Sequence, residues 1–282
     1  MNRLIWEPVV RAALTEDLGR AGDVTTDAIV PVDLCATAAV VARADGVIAG
    51  LVPSVAAFTI YDSAVEVITS VNDGDRVAAG QRIATITGPA RALLTAERTC
   101  LNVLGHLSGI ATVTRAVVDA IADTDARVVD TRKTTPGLRA LEKYAVRCGG
   151  GANHRFGLDD ALLIKDNHIV IAGGITAAVT AARRHAGHLV AIEVEVDGLD
   201  QLDEALTLPV DVVMLDNFSL DDLREATRRV RAARDSGTRI VSEASGGIRP
   251  DTAAAIAATG VDLLSIGWLT HSAPNLDIAL DM

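Results

Sequence analysis

The stretch VAIEVEVDGLDQLDEALTLPVDVVMLDN, residues 190–217, decides the fold. It opens with an apolar run, VAIEVEV (190–196), passes through the helical pattern LDQLDEALT, and returns to a second apolar run, VDVVML (210–215). The same rhythm extends in both directions. ARVVD (126–130) and ALLIK (161–165) precede it; RIVSEA (239–244) and VDLLSI (261–266) follow. Helical stretches such as ITAAVTAARRHA, LDDLREATRRVRAARDS and PDTAAAIAATG lie between them. Short strands alternating with helices make βα units and a parallel sheet. Six strands fit an incomplete, TIM-like α/β barrel, with a doubly wound sheet as the alternative. No glycine-rich dinucleotide fingerprint follows the first strand, which counts against the latter.

Upstream the pattern differs. Residues 1–20 read as a helix stopped at Gly19. Residues 36–88 read as β, with turns at Asp45-Gly46, Asp73-Gly74 and Gly80. Residues 89–122 return to a helical period, which places a domain boundary near residues 100–112. VNDGDRVAAGQRIATI (71–86) is similar to the hairpins of biotinyl and lipoyl carrier domains. The first lysine in the chain is Lys133, so there is none to modify there.

Composition narrows the function. The 282 residues are 49% hydrophobic but only 2% aromatic, so the core is aliphatic. A formal charge of −11 disfavours a nucleic-acid partner. Three cysteines (Cys35, Cys100 and Cys148) match no disulfide framework or zinc spacing, which points to a reducing, cytoplasmic setting. The N-terminus lacks a signal-peptide core. No run of about 18 apolar residues is free of charge or glycine, so no membrane span is expected.

The charge is unevenly placed. All three lysines, Lys133, Lys143 and Lys165, fall between residues 133 and 165. From 132 to 165 there are seven basic residues against three acidic ones, set among Gly, Thr, Asn and His rather than on a helical stripe. A solvated basic face is the plain reading; an anion pocket is the sharper one.

All six strands end in polar residues or glycine: Asp130-Thr131-Arg132-Lys133, Lys165-Asp166-Asn167-His168, Glu193 and Glu195, Asp216-Asn217, Glu243 before Ser245-Gly246-Gly247, and Ser265-Ile266-Gly267. In a βα barrel these ends form the active-site rim. Arg132, Lys133, His154, Arg155 and Lys165 suit carboxylates or phosphates. Glu195 and Asp216 suit Mg²⁺ or sugar hydroxyls. Ser245, Gly246 and Gly247, between a strand and a helix, together with Gly267, suit a phosphate. His154-Arg155 follows three glycines, which predicts a mobile loop. His106, His185, His188 and His271 read as structural or surface residues, and Arg98 by default as a solvated helix arginine. Lys165 as a Schiff-base lysine is the competing chemistry.

TAERTCLNVLGHLSGIAT, DTRKTTPGLRALEKYAVRCGGGANHRFGL, LIKDNHI, EVEVD, MLDNF and EASGGI, in that order, resemble the quinolinate phosphoribosyltransferase family. The resemblance extends from EDLG at 16–19 to the final DIALDM. It implies an N-terminal α/β sandwich domain (1–108, joined by 270–282) and an α/β barrel (109–269). It also implies a homodimer with a shared active site, transferring phosphoribosyl from phosphoribosyl pyrophosphate to quinolinate with decarboxylation and Mg²⁺.

The resemblance further assigns roles. Arg98 reaches quinolinate from the neighbouring subunit. Thr131, Arg132, Lys133, His154, Arg155 and Lys165 hold the quinolinate carboxylates and parts of the pyrophosphate. Glu195 and Asp216 take the ribose hydroxyls and Mg²⁺. Ser245, Gly246, Gly247 and Gly267 take the 5′-phosphate. Lys133, Glu195 and Asp216 are the catalytic candidates.

Overall fold

In the first helix, α1 (Arg3–Leu18), Asn2 accepts a hydrogen bond from the Leu4 amide as N-cap, and Trp6, Val10 and Leu14 line one buried stripe. The computed structural model describes all 282 residues. Along the chain follow α2 (Val24–Ile29), β1 (Cys35–Ala42), β2 (Gly46–Val47), α3 (Leu51–Tyr61), β3 (Glu66–Thr69), β4 (Arg76–Val77), β5 (Arg82–Pro89) and the long α4 (Ala90–Ala120). Next come β6 (Arg127–Val129), α5 (Arg139–Cys148), β7 (Leu162–Ile164), α6 (Asp166–Ala172), α7 (Ile175–His185), β8 (Ile192–Val196), α8 (Leu199–Leu206) and β9 (Val212–Asp216). The chain ends with α9 (Leu220–Asp235), β10 (Val241–Ser245), α10 (Pro250–Ala257), β11 (Leu263–Ser265), α11 (Trp268–His271) and β12 (Ile278–Asp281).

The chain divides into two compact units. One comprises residues 1–115, 134–150 and 269–282; the other comprises 116–133 and 151–268. In the first, an antiparallel sheet of order β12-β1-β5-β3 backs an aliphatic core that includes Val10, Phe58, Ile83, Ile86, Leu93 and Leu104. By length and composition α4 alone could cross a membrane, yet it carries Glu97 and Arg98, and 56% of its most apolar window is buried. Residues 274–276 lie directly on α4. A Cβ on Gly109 would come within 2.1 Å of the Pro274 carbonyl oxygen, and the Leu276 amide donates to Gly105 O at 2.9 Å.

One sequence expectation needs correction here. The β region 36–88 is interrupted by α3, whose sequence LVPSVAAFTIY has Pro53, β-branched residues and no polar face; burial, not amphipathic period, makes it helical. Residues 134–150 are part of the first unit. Leu141, Ala145 and Val146 of α5 are buried in that unit's core.

The second unit is a six-stranded, all-parallel sheet of order β6-β11-β10-β9-β8-β7. Strands consecutive in sequence are neighbours, except that β6 pairs with β11, as it would in a barrel closing on itself. No ladder joins β6 to β7. Along that seam Ala152 bridges to Val129 instead. The outward residues Val194, Val213, Leu215, Ala244 and Leu264 are fully or nearly fully buried, and α7–α10 pack on the sheet. The opposite face mixes apolar residues such as Met214 with carboxylates, and it carries the site.

Candidate active site

Register fixes which residues share that inner face. Glu195 lies opposite Met214, which lies opposite Glu243; Asp216 lies opposite Ser245. With a strand period of two, Glu193, Glu195, Met214, Asp216, Glu243 and Ser245 all project inward. Glu195, Asp216 and Ser245 stand near the C-terminal ends. Glu193 and Glu243 lie two residues, roughly 7 Å, deeper along their strands.

The rim carries the predicted chemistry. The Lys165 ammonium pairs with the Glu195 carboxylate across β7 and β8. The pair and the 46% exposure of the Lys165 side chain are unlike the desolvated pocket that activates a Schiff-base lysine, which counts against the competing reading. Asp216 accepts from Asn217 Nδ2 at 2.6 Å. Ser245-Gly246-Gly247 turns between β10 and α10 with φ of +101° at Gly246 and +57° at Gly247, both in the left-handed region that favours glycine. Its backbone leads into the N-terminus of α10, opened by Pro250. Gly267 follows β11 and immediately precedes α11.

The basic segment is anchored by Asp130, which is fully buried. Its carboxylate accepts from Asn153 Nδ2 at 2.6 Å and from the His154 amide at 2.9 Å, tying the end of β6 to residues 153–154. Thr131 Oγ1 accepts from the Lys133 amide at 3.0 Å, while Lys133 itself is exposed. Arg155 donates to Ala161 O at 3.0 Å, and its buried Nε has no hydrogen-bond partner. Burial pushes the Arg155 pKa down, and the nearby Arg132 charge lowers it further. Two guanidiniums near enough to repel, with a buried Arg155 Nε left unmatched, suit an anion.

His154 is not on a loose loop. Its Nε2 lies 2.9 Å from Glu193 Oε2 and 3.5 Å from Glu243 Oε1, and its side chain is 13% exposed. The expectation of a mobile loop is therefore corrected: the carboxylate layer beneath the rim and Asp130 beside it hold His154 from two directions. The structure thus gathers His154, Arg155, Lys165, Glu195, Asp216 and Ser245 onto one framework. Arg98 is elsewhere, on α4, exposed and 3.8 Å from Glu97.

Four residues of this framework escaped the site assignment: Asp130, Glu193, Asn217 and Glu243. The signal for Glu193 was present in EVEV (193–196), where alternate acids in an apolar strand fall on one face. Burial and a like-charged neighbour, Glu193, push Glu243 up to about 7, against the opposing pull of His154. His154, Glu193 and Glu243 are also the one group of three metal-capable donors, with ligand atoms within 4.8 Å of one another. For the rim, the donor chemistry of Glu195 and Asp216 is all oxygen, which fits Mg²⁺ arriving with a phosphorylated substrate.

Comparison with known proteins places this framework in a family. The model of the quinolinate phosphoribosyl transferase N-terminal domain matches residues 23–108, and that of the C-terminal domain matches residues 110–281. The chain belongs to the quinolinate phosphoribosyl transferase family. It is 45% identical over 282 residues to the "Probable nicotinate-nucleotide pyrophosphorylase [carboxylating]" of Bacillus subtilis, covering 100% of this chain and 95% of the relative. The Mycobacterium leprae protein of that name, without "Probable", is 47% identical over 279 residues, covering 97% of this chain and 95% of its own. The solved nicotinate-nucleotide pyrophosphorylase of Francisella tularensis superposes with a TM-score of 0.93 at 40% identity, covering 100% of this chain and 97% of that one. The family's fold, an incomplete α/β barrel with an N-terminal α/β sandwich domain, is the fold described above.

Proposed function

We infer that this chain is a decarboxylating quinolinate phosphoribosyltransferase. It transfers phosphoribosyl from phosphoribosyl pyrophosphate to quinolinate, giving nicotinate mononucleotide, CO₂ and pyrophosphate in de novo NAD synthesis. The observation that carries this reading is the unmatched buried Arg155 Nε, beside the Arg132 charge, on a framework that also holds the Ser245-Gly246-Gly247 turn. Several cations suit a dicarboxylate better than a single carboxylate, which favours quinolinate over nicotinate.

Arg132, Lys133 and Arg155 bind the carboxylates of quinolinate, and Lys165 the pyrophosphate. His154 contributes from a ring held by Glu193. Ser245, Gly246, Gly247 and Gly267 hold the 5′-phosphate through backbone N–H groups. Glu195 and Asp216 receive the ribose hydroxyls and would hold Mg²⁺, which supplies charge neutralisation for the departing pyrophosphate. As the bond from ribose C1 to pyrophosphate breaks, the two carboxylates stabilise the cationic ribosyl centre, and the pyridine nitrogen forms the new bond. The adjacent carbon–carboxylate bond then breaks, CO₂ leaves, and the electron pair stays on the ring carbon as an ylide stabilised by the neighbouring pyridinium nitrogen. Lys133 or solvent returns a proton to that carbon.

The working unit is a homodimer in the cytoplasm in which Arg98 of one subunit completes the other's site. Its exposure on α4 and the three unpaired cysteines support this reading. Incubation with Mg²⁺, phosphoribosyl pyrophosphate and carboxyl-labelled quinolinate tests it, with nicotinate in parallel. Labelled CO₂ released only with phosphoribosyl pyrophosphate supports the reading; no product from either acid overturns it.

A further inference from the structure

Asn217 is the one non-glycine residue in the chain with a positive φ, +56°. It is exposed, so burial of apolar surface does not force this conformation. A turn with no further duty would take glycine there without strain. Asparagine tolerates the left-handed region better than most residues, but backbone of this kind collects where function over-determines it.

Its contacts show what that duty is. Asn217 Nδ2 donates to Asp216 Oδ2 at 2.6 Å, and the Asn217 amide donates to Ser245 O at 3.0 Å. A Cβ on Gly246 would come within 2.1 Å of Asn217 Oδ1 and 2.9 Å of its backbone nitrogen, so the turn lies directly on this side chain. One residue therefore touches the carboxylate assigned to the ribose and also both Ser245 and Gly246 of the turn assigned to the 5′-phosphate.

We propose that Asn217 is a positioning residue for the phosphoribosyl half of the substrate, locking the orientation of the Asp216 carboxylate to the Ser245-Gly246-Gly247 turn. The proposal rests on the functional reading above. The left-handed backbone lets the side chain fold back over Asp216 while its amide remains on Ser245. Gly246 is then required twice, for its own φ of +101° and because any side chain there would displace the Asn217 amide.

The test separates backbone from side chain. Asn217→Gly keeps the conformation and loses the donor; Asn217→Asp keeps the shape but sets a carboxylate against Asp216. Both are compared with wild type by calorimetric titration with phosphoribosyl pyrophosphate, by kcat and KM for each substrate, and by thermal melting. The expected result for Asn217→Gly is an affinity and a KM for phosphoribosyl pyrophosphate about tenfold weaker, equivalent to about 1.4 kcal/mol, with KM for quinolinate and Tm unchanged. Asn217→Asp should lose at least as much. Wild-type affinity in Asn217→Gly would overturn the proposal, as would an equal rise in both KM values. The wild-type assay tests the underlying reading separately, since inactive wild-type protein defeats that reading whatever the variants do.

Discussion

Replacing Glu243 by Gln should change how stability depends on pH, and the structure sets both sign and size. Glu243 is 1% exposed, and burial followed by the Glu193 charge pushes its pKa up from 4.5 to about 7. The folded protein therefore holds a proton on Glu243 that the unfolded chain releases near 4.5. This contribution to stability is complete below 4.5 and is lost as pH rises through about 7. The gap corresponds to about 3 kcal/mol, at about 1.4 kcal/mol for each tenfold. Gln has the same shape and nothing to ionise. Urea unfolding of both proteins from pH 4.5 to 8 should give curves that diverge, with the variant gaining about 3 kcal/mol on the wild type across that range. Taking the difference cancels the titrating groups that do not face Glu243, leaving Glu243 with its neighbours Glu193 and His154. Parallel curves would refute the reasoning. So would a variant that loses ground as pH rises, since that would mean His154 stabilises Glu243 as an anion.

Gly109→Ala should lower the melting temperature, because its Cβ would meet Pro274 O at 2.1 Å and Asn275 Cα at 3.0 Å. Those are backbone atoms that no rotamer change can move, so the cost is about 1–3 kcal/mol and an unchanged melting curve would contradict the packing. Arg132→Ala should raise KM for quinolinate at least tenfold while phosphoribosyl pyrophosphate still binds by calorimetry; an unchanged KM removes Arg132 from the quinolinate site. Arg98→Ala and Glu195→Ala, each inactive alone, should recover part of the activity when mixed under conditions that allow subunit exchange. No recovery would argue against a site shared between subunits.

The strand–helix rhythm from residue 126 onward was legible because each βα unit carries its own signal in period and in the polar residue ending each strand. Rim residues such as Lys165, Glu195, Asp216 and Ser245 could be read for the same reason: position relative to a strand end is a local property. What stayed hidden depends on tertiary context. Helix α3 has no amphipathic period because it is buried on most sides, and α5 resides in the first unit because Leu141, Ala145 and Val146 fit that core. The capture of His154 by Glu193 joins residues 39 positions apart, and nothing near the GGGANHR motif announces it. The positive φ of Asn217 is likewise invisible in MLDNF, where Asp-Asn reads as an ordinary strand end.

The pairing of β12 with β1 bears on how the protein is made. Strand β1 is flanked by β5 on one side and, on the other, by residues 278–281, which are synthesised after the whole of the second unit. Until then β1 presents a free edge, and the glycine stripe of α4 that receives residues 274–276 is bare. Of the two units, the one that begins earlier in the chain is thus also the one finished later. A nascent chain stalled near residue 270 would carry a nearly complete barrel and an open, adhesive sheet, the species a chaperone or protease would meet.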